Sequence, residues 1–283
     1  MRSDPTTRTI AVGDREKPGA MIRAWNWVRG RSGAIVLLVI LLAIWEAAVR
    51  IFNIPSYLLP APSDAIVALV NGLGSGILLT HTWVTLLEIM GGFAIAVLTA
   101  FVLAFAVTKW RWVEKSVLPL VFALQSVPKV ALAPLILTWF GFGITSKLVT
   151  VALVAFFPLV VNLIAGIQSA DSDRVDMFKA LGASEWTIFR KLRLPNATPY
   201  IMAGLDIAIV FCIIGAIVAE FVGAQAGLGY LIQASAINLD VSMTFAILII
   251  LSALGLVLHA ILTVISRRVV FWQGKGLEAI TER

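Results

Sequence analysis

Six apolar runs, each of 20 residues or more, dominate this chain: 33–52, 84–108, 116–140, 148–167, 199–222 and 243–265. A run of ~20 such residues crosses the roughly 30 Å hydrocarbon layer of a bilayer as a helix. The composition agrees, with only 13% of residues charged where a soluble domain has about 25%. The expectation is an all-α, polytopic membrane protein with six transmembrane helices. Some 32 mostly polar residues precede the first run, and the run itself is long enough to span, so it reads as an anchor rather than a cleaved signal peptide. The one cysteine, Cys212, lies inside an apolar run, which excludes an intrachain disulfide and a thiol–metal cluster.

A net charge of +6 raises the question of a nucleic-acid partner, and the charge distribution answers it. Of 22 Lys and Arg, seven precede the first run (Arg2, Arg8, Arg15, Lys17, Arg23, Arg29, Arg31) and three separate runs two and three (Lys109, Arg111, Lys115). Five separate runs four and five (Arg174, Lys179, Arg190, Lys191, Arg193), and four follow run six (Arg267, Arg268, Lys275, Arg283). The alternate loops, 53–82 and 225–241, hold none. Positive residues stay on the cytoplasmic side. Both termini and the segment around 171–195 are therefore expected in the cytosol. Trp25, Trp27, Trp110, Trp112 and Trp272 flank the runs at that face, with Trp83 and Trp139 at the other.

The chain organises as a polar arm over 1–32, expected to be mobile, a membrane domain over 33–268, and a tail over 269–283. The loop after run one carries three prolines and then a short amphipathic piece, with Ser63 or Asp64 as its expected N-cap. Run three is interrupted by "LQSVPKVALAPL", where Pro128 and Pro134 each remove a backbone donor. A break at membrane depth is tolerated in a packing kink or where it lines a water-filled cavity. The sequence is compatible with both readings.

The polar stretch 171–195 is the exception in an apolar chain. Asp171, Ser172 and Asp173 can cap a short helix bearing Val175, Phe178 and Leu181 on one side. Gly182 sits where a helix end favours positive φ. Ser184 can cap a second short helix with Trp186, Phe189 and Leu192 on its apolar side, its charges ordered as the helix dipole prefers, and Pro195 is expected to close it. Two small apolar faces without a core of their own must bury themselves, either flat on the membrane or against a soluble partner.

That stretch, "DMFKALGASEWTIFRKLRLP", resembles the cytoplasmic loop signature of ABC importer permeases: an E-A-A triplet, a glycine, a spacer and a terminal I-x-L-P. Gly182 takes the glycine position, Leu192 stands for the isoleucine, and Leu194–Pro195 complete the ending. Asp176 replaces the glutamate, and Met177 and Phe178 the alanines. The segments "PSYLLPAPSDAIVAL", "VPKVALAPLILTWFGFGITSK", "FFPLVVN" and "AEFVGAQAGLGYLI" are similar to permeases of the nitrate, sulfonate and taurine type. The resemblance implies a type I importer permease core, two permease copies forming the pathway, an extracytoplasmic solute-binding protein and a cytosolic ATPase dimer that holds ATP and Mg. It also implies an ATPase-coupling set of Asp176, Phe178, Leu181, Gly182, Ala183, Ser184, Leu194 and Pro195.

No catalytic or metal set is expected on this chain, and no cofactor. G-x-x-x-x-G-K-[ST], H-E-x-x-H and G-x-S-x-G are all absent; "GKG" at 274–276 lacks the earlier glycine and the hydroxyl residue. His81 and His259 are far apart in sequence and need no function. Ionisable residues within spans are functional candidates by default. The pathway candidates are Gln125, Lys129, Asn162, Asp206 and Glu220. Lys129 reads equally as a carbonyl-capping or salt-bridged lysine. Glu46, Glu88 and Glu220 lie near span ends, where a carboxylate can simply reach interfacial water. The rival class is an ion-gradient-driven carrier using Glu88, Asp206 or Glu220; it would favour inverted repeats, and none is visible.

Overall fold

The computed structural model describes residues 20–271, without the side chains of 20–32, 34 and 111. Trp25, Trp27, Trp272, the segment 274–276 and most of the predicted arm and tail lie outside the described residues or side chains. The chain divides into two units at Ile54/Pro55. The first is helix α1 (Ala20–Ile51), which begins well before the expected start at 33, so the last part of the predicted arm is helical. Within it Arg50 Nε donates to Glu46 Oε1 at 2.6 Å, one turn away.

The second unit contains α2 (Pro62–Gly74), α3 (Ile77–Lys109), α4 (Arg111–Gln125), α5 (Ala133–Phe140) and α6 (Ile144–Gln168). There follow α7 (Ser172–Ala180), α8 (Glu185–Ile188), α9 (Leu194–Gly223), α10 (Leu228–Ile237) and α11 (Val241–Val269). No strand occurs among the described residues. Four helices there are long and apolar enough to cross a membrane: α3, α6, the continuous helix 185–223 that contains α8 and α9, and α11. A fifth crossing exists if α4 and α5, bent by 89°, count as one. The run at 33–52 forms the second part of α1.

Small residues decide how closely the spans pack. In α3, Gly92, Ala96, Ala100 and Ala104 recur every fourth residue and are buried. In α9, Gly204, Ala208, Cys212 and Ala216 do the same, with Gly215 and Ala219 buried beside them. Membrane helices gain little from hydrophobic exclusion, so association depends on such close backbone approach. Between them lies α6, the most buried of the spans. A Cβ added at Gly215 would stand 3.0 Å from Val151 Cα and 3.6 Å from Thr150 O, both backbone atoms. Gly215→Val is expected to force α6 and α9 apart and lower stability by about 1–3 kcal/mol. Unfolding in mixed micelles reads this directly; an unchanged midpoint would refute the close contact.

The N-cap of α2 is Ala61 rather than Ser63 or Asp64. The Asp64 carboxylate instead reaches back to accept from Ala61 N at 3.3 Å. The α4–α5 break falls where the prolines put it, with a 3₁₀ turn over Lys129–Leu132 after Pro128.

Candidate functional site

The α6–α9 connection is built by local rules. Asp171 accepts from Asp173 N at 3.0 Å to start α7. At its end Ala183 N donates to Phe178 O (3.0 Å) and Gly182 N to Lys179 O (2.9 Å). That paired closure needs a left-handed residue, which Gly182 supplies at φ +74°. Ser184 Oγ then accepts from Thr187 N at 3.2 Å and starts α8.

Two expectations are corrected here. Pro195 does not close a second helix: α8 runs through a wide turn over Phe189–Arg193 directly into α9. A proline clashes with the carbonyl four residues back; shifting the bonds to i→i−5, as Leu194 N to Phe189 O does, makes room for it. Leu181 does not share the inner face of Val175 and Phe178. It caps α7 and is 78% exposed, with Met177 at 52%, whereas Val175 and Ile188 are buried. Of the predicted coupling residues, Asp176, Leu181, Gly182 and Ser184 are exposed. Phe178, Ala183, Leu194 and Pro195 are half-buried, and Leu194 packs against the bundle core. Met177, four residues before Leu181, shares its exposure, and Ile188 of α8 is buried like Val175 of α7.

This loop lies at the end of the bundle that carries the basic residues. Gln168 Nε2 donates to Glu114 Oε1 (2.9 Å) and Asn196 Nδ2 to Ser169 Oγ (2.8 Å), joining the α4, α6 and α9 termini there.

At the opposite end is a second polar cluster, built around two fully buried carboxylates. Glu88 on α3 and Glu220 on α9 are both 0% exposed, so neither reaches interfacial water. Lys147 Nζ on α6 donates to Glu88 Oε1 at 2.6 Å and lies 3.5 Å from Ala226 O. Glu220 Oε1 accepts from Thr85 Oγ1 at 2.7 Å, and its Oε2 accepts from Gly229 N and Tyr230 N at the start of α10. Thr85 Oγ1 also accepts from Leu228 N (2.8 Å), and His81 Nδ1 accepts from Gly227 N (2.9 Å). Gly227 takes φ +120°, and a Cβ there would collide with the Glu220 carboxylate. The cluster therefore clasps the α9–α10 turn to α3. His81, Thr85 and Glu88 are spaced i, i+4, i+7, a pattern that placed them on one helix face. His81 thus has a structural partner in the Gly227 amide.

The other candidates do not converge with Glu220. Asp206 lies fourteen residues earlier on α9, about 21 Å along the helix, and pairs with His259 Nδ1 of α11 at 2.5 Å. Lys129 Nζ caps the Gln125 carbonyl at 2.7 Å and lies 4.8 Å from the Phe157 ring centroid. Asn162 Nδ2 donates to Pro158 O on its own helix at 2.7 Å. No group of three or more His, Cys, Asp or Glu able to hold a metal occurs among the described residues.

Residues 92–271, which carry the α3–α6–α9 core, the loop and the clasped turn, match the family of binding-protein-dependent transport system inner membrane components. The chain belongs to that family. It is a permease subunit of an ABC importer rather than an ion-gradient carrier, and such subunits are not themselves catalytic. The riboflavin transport system permease protein of Chloroflexus aurantiacus is 34% identical over 85% of this permease and 90% of the relative. The formylaminopyrimidine transport permease protein of Halalkalibacterium halodurans is 34% identical over 83% and 93%. The taurine transport system permease protein of Escherichia coli is 27% identical over 89% and 94%. A crystal structure of an amino acid ABC transporter shares the fold, with a TM-score of 0.56 at 20% identity over 71% of this permease and 97% of that chain. Within this permease, the importer-like phrase "AEFVGAQAGLGYLI" is the segment that forms the Glu220 clasp.

Proposed function

We propose that two copies of this permease enclose an inward pathway for a small solute, with the basic end and both termini in the cytosol. A cytosolic ATPase dimer, holding ATP and Mg, docks on the turn around Gly182. An extracytoplasmic binding protein delivers solute at the opposite end. The observation that carries this reading is the α7–α8 turn: a rigid, doubly capped knob that presents Leu181 and Met177 while Val175 and Ile188 anchor it. ATP binding closes the ATPase dimer, the knob moves with it, and the spans exchange outer for inner access. The pathway runs beside the α4–α5 bend, where Gln125, Lys129 and Asn162 are the polar groups at membrane depth. Glu220, with both oxygens engaged and no exposure, acts as a structural clasp rather than a solute contact.

The solute class is a small nitrogen heterocycle. Support comes from the relatives named for riboflavin and formylaminopyrimidine, which are 34% identical to this chain. The taurine and aliphatic sulfonate relatives stand at 27% and 26%, and keep sulfonates as the second reading.

The test is co-purification of a cytosolic ATPase with the wild type and with Leu181→Asp and Gly182→Pro. The ATPase is expected to accompany the wild type and to be lost from both variants, while the exposed Leu181→Asp keeps its thermal midpoint. Retention by both variants would refute the docking surface. Uptake by vesicles loaded with ATP, competed by pyrimidines or by alkylsulfonates, separates the two solute classes.

A further inference from the structure

The cations of the α6–α9 connection fall into two groups with different partners. On α7 they are neutralised locally: Arg174 Nε lies 3.7 Å from Asp171 Oδ2, and Lys179 Nζ lies 4.0 Å from Asp176 Oδ1. No carboxylate lies within ion-pair distance of Arg190, Lys191 or Arg193, nor of Lys109 at the end of α3, among the described residues. Glu185, at the start of α8, and Glu114, bonded to Gln168, are the acids nearest in sequence to this group.

Lys109 borders a cluster of aromatic rings, and Arg190 follows one of them, Trp186, by one helical turn. Trp186 stacks on Phe189 with centroids 5.7 Å apart. Phe105 of α3 meets both edge-on, at 6.4 Å and 5.7 Å. Lys109 Nζ lies 5.8 Å from the Phe105 ring and 5.2 Å from the Trp110 ring. Trp110, Trp112 and Trp186 are 51%, 76% and 60% exposed. Phe105 belongs to a membrane-spanning helix one turn from its basic end, so Trp186 and Phe189 are held level with the boundary of the hydrocarbon. They do not project beyond it with Leu181. Tryptophan rings favour that depth, and cationic side chains beside it attract anionic headgroups.

We propose that the Trp186–Lys109–Arg190 face binds the headgroup of an anionic phospholipid. It rests on the placement of the basic end in the cytosol, and it divides the connection between two partners: the α7 knob for protein, the α8 face for lipid. The aromatic rings sit in the interfacial layer, and Lys109, Arg190 and Lys191 hold the phosphodiester charge. Lipid bound there braces the helix that runs unbroken from α8 into α9, and so sets the position of the knob.

The experiment is lipid binding by the purified full-length chain in mixed micelles containing equal amounts of phosphatidylglycerol and phosphatidylcholine, read by native mass spectrometry. The wild type is expected to retain phosphatidylglycerol preferentially, and the preference to weaken as salt rises. Lys109→Gln with Arg190→Gln is expected to lower the ratio by about fivefold per charge removed. Lys191→Gln alone, an exposed residue in no described ion pair, lowers it about fivefold without risk to folding. Lys179→Gln, on the knob, leaves it unchanged. Equal retention of both lipids by the wild type, or an unaltered ratio in Lys191→Gln, would overturn the proposal. So would loss of a co-purifying ATPase from the Lys109/Arg190 variant with the lipid ratio intact, which would assign the face to protein. The Leu181→Asp variant keeps its lipid ratio even where it loses the ATPase, so the two readings fail separately.

Discussion

Glu220→Ala is expected to destabilise the permease by about 3–5 kcal/mol. The side chain is fully buried, and its removal leaves Gly229 N–H and Tyr230 N–H without their acceptor and Thr85 Oγ1–H with only the longer bond to His81 O at 3.2 Å. Ordinary interhelical hydrogen bonds in membranes average only about 0.6 kcal/mol, so three of them would total about 2. The larger figure follows because the donors left behind are buried, and each buried donor without an acceptor costs about 1–3 kcal/mol. Unfolding in mixed micelles measures the loss, and limited proteolysis should open the 224–227 turn. A loss below about 1 kcal/mol would show that the clasp contributes only packing. Glu220→Gln retains one acceptor oxygen and falls between the two, because its amide nitrogen must face either Thr85 or the α10 amides, which are donors already.

Lys147→Met is expected to cost a similar amount, about 3–5 kcal/mol, because it leaves Glu88 buried without a counter-charge. Glu88 Oε2 already has no hydrogen-bond partner among the described residues, so the lysine is the chief compensation for that carboxylate. Replacing both members is a different matter. Lys147→Met with Glu88→Leu substitutes apolar volume for the ion pair, and such exchanges are often neutral or stabilising. The double variant should therefore recover most of the stability lost in the single one. A double variant as unstable as Lys147→Met would mean that Glu88 is held by groups other than Lys147, and the pair would lose its assigned role.

The two clusters differ in how far they were readable. Around Gly182 the relevant interactions span a few residues. A carboxylate or hydroxyl two or three residues before a free amide makes a cap, and a glycine at a helix end makes a left-handed turn. Residue type and spacing were sufficient for Asp171, Gly182 and Ser184. They failed at Pro195, because a wide turn that relieves a proline clash depends on how α9 is seated. They failed also at Leu181, whose three-residue spacing from Phe178 ended where the helix itself ended.

The buried cluster was legible only in part. Glu88 and Glu220 stood out as charges in apolar runs, but their environment did not follow from their position in those runs. Thr85 and Glu220 meet across 135 residues, Lys147 and Glu88 across 59, and Asp206 and His259 across 53. Whether a carboxylate near a span end faces water or a lysine depends on the rotation of its helix about its own axis. No local pattern records that angle.

The sequence by itself determined the membrane class, the charge asymmetry, the break in the third run and the caps of the connecting loop. Each follows from residue types acting over one or two helical turns, or from the cost of moving charge into lipid. The tertiary structure alone decided that Glu220 is a clasp, that Glu88 is neutralised by Lys147, and that Trp186 lies against Phe105 rather than on the knob. The physical reason is common to all three. Small residues let α3, α6 and α9 approach to backbone contact, and that approach brings together side chains that the chain itself keeps far apart.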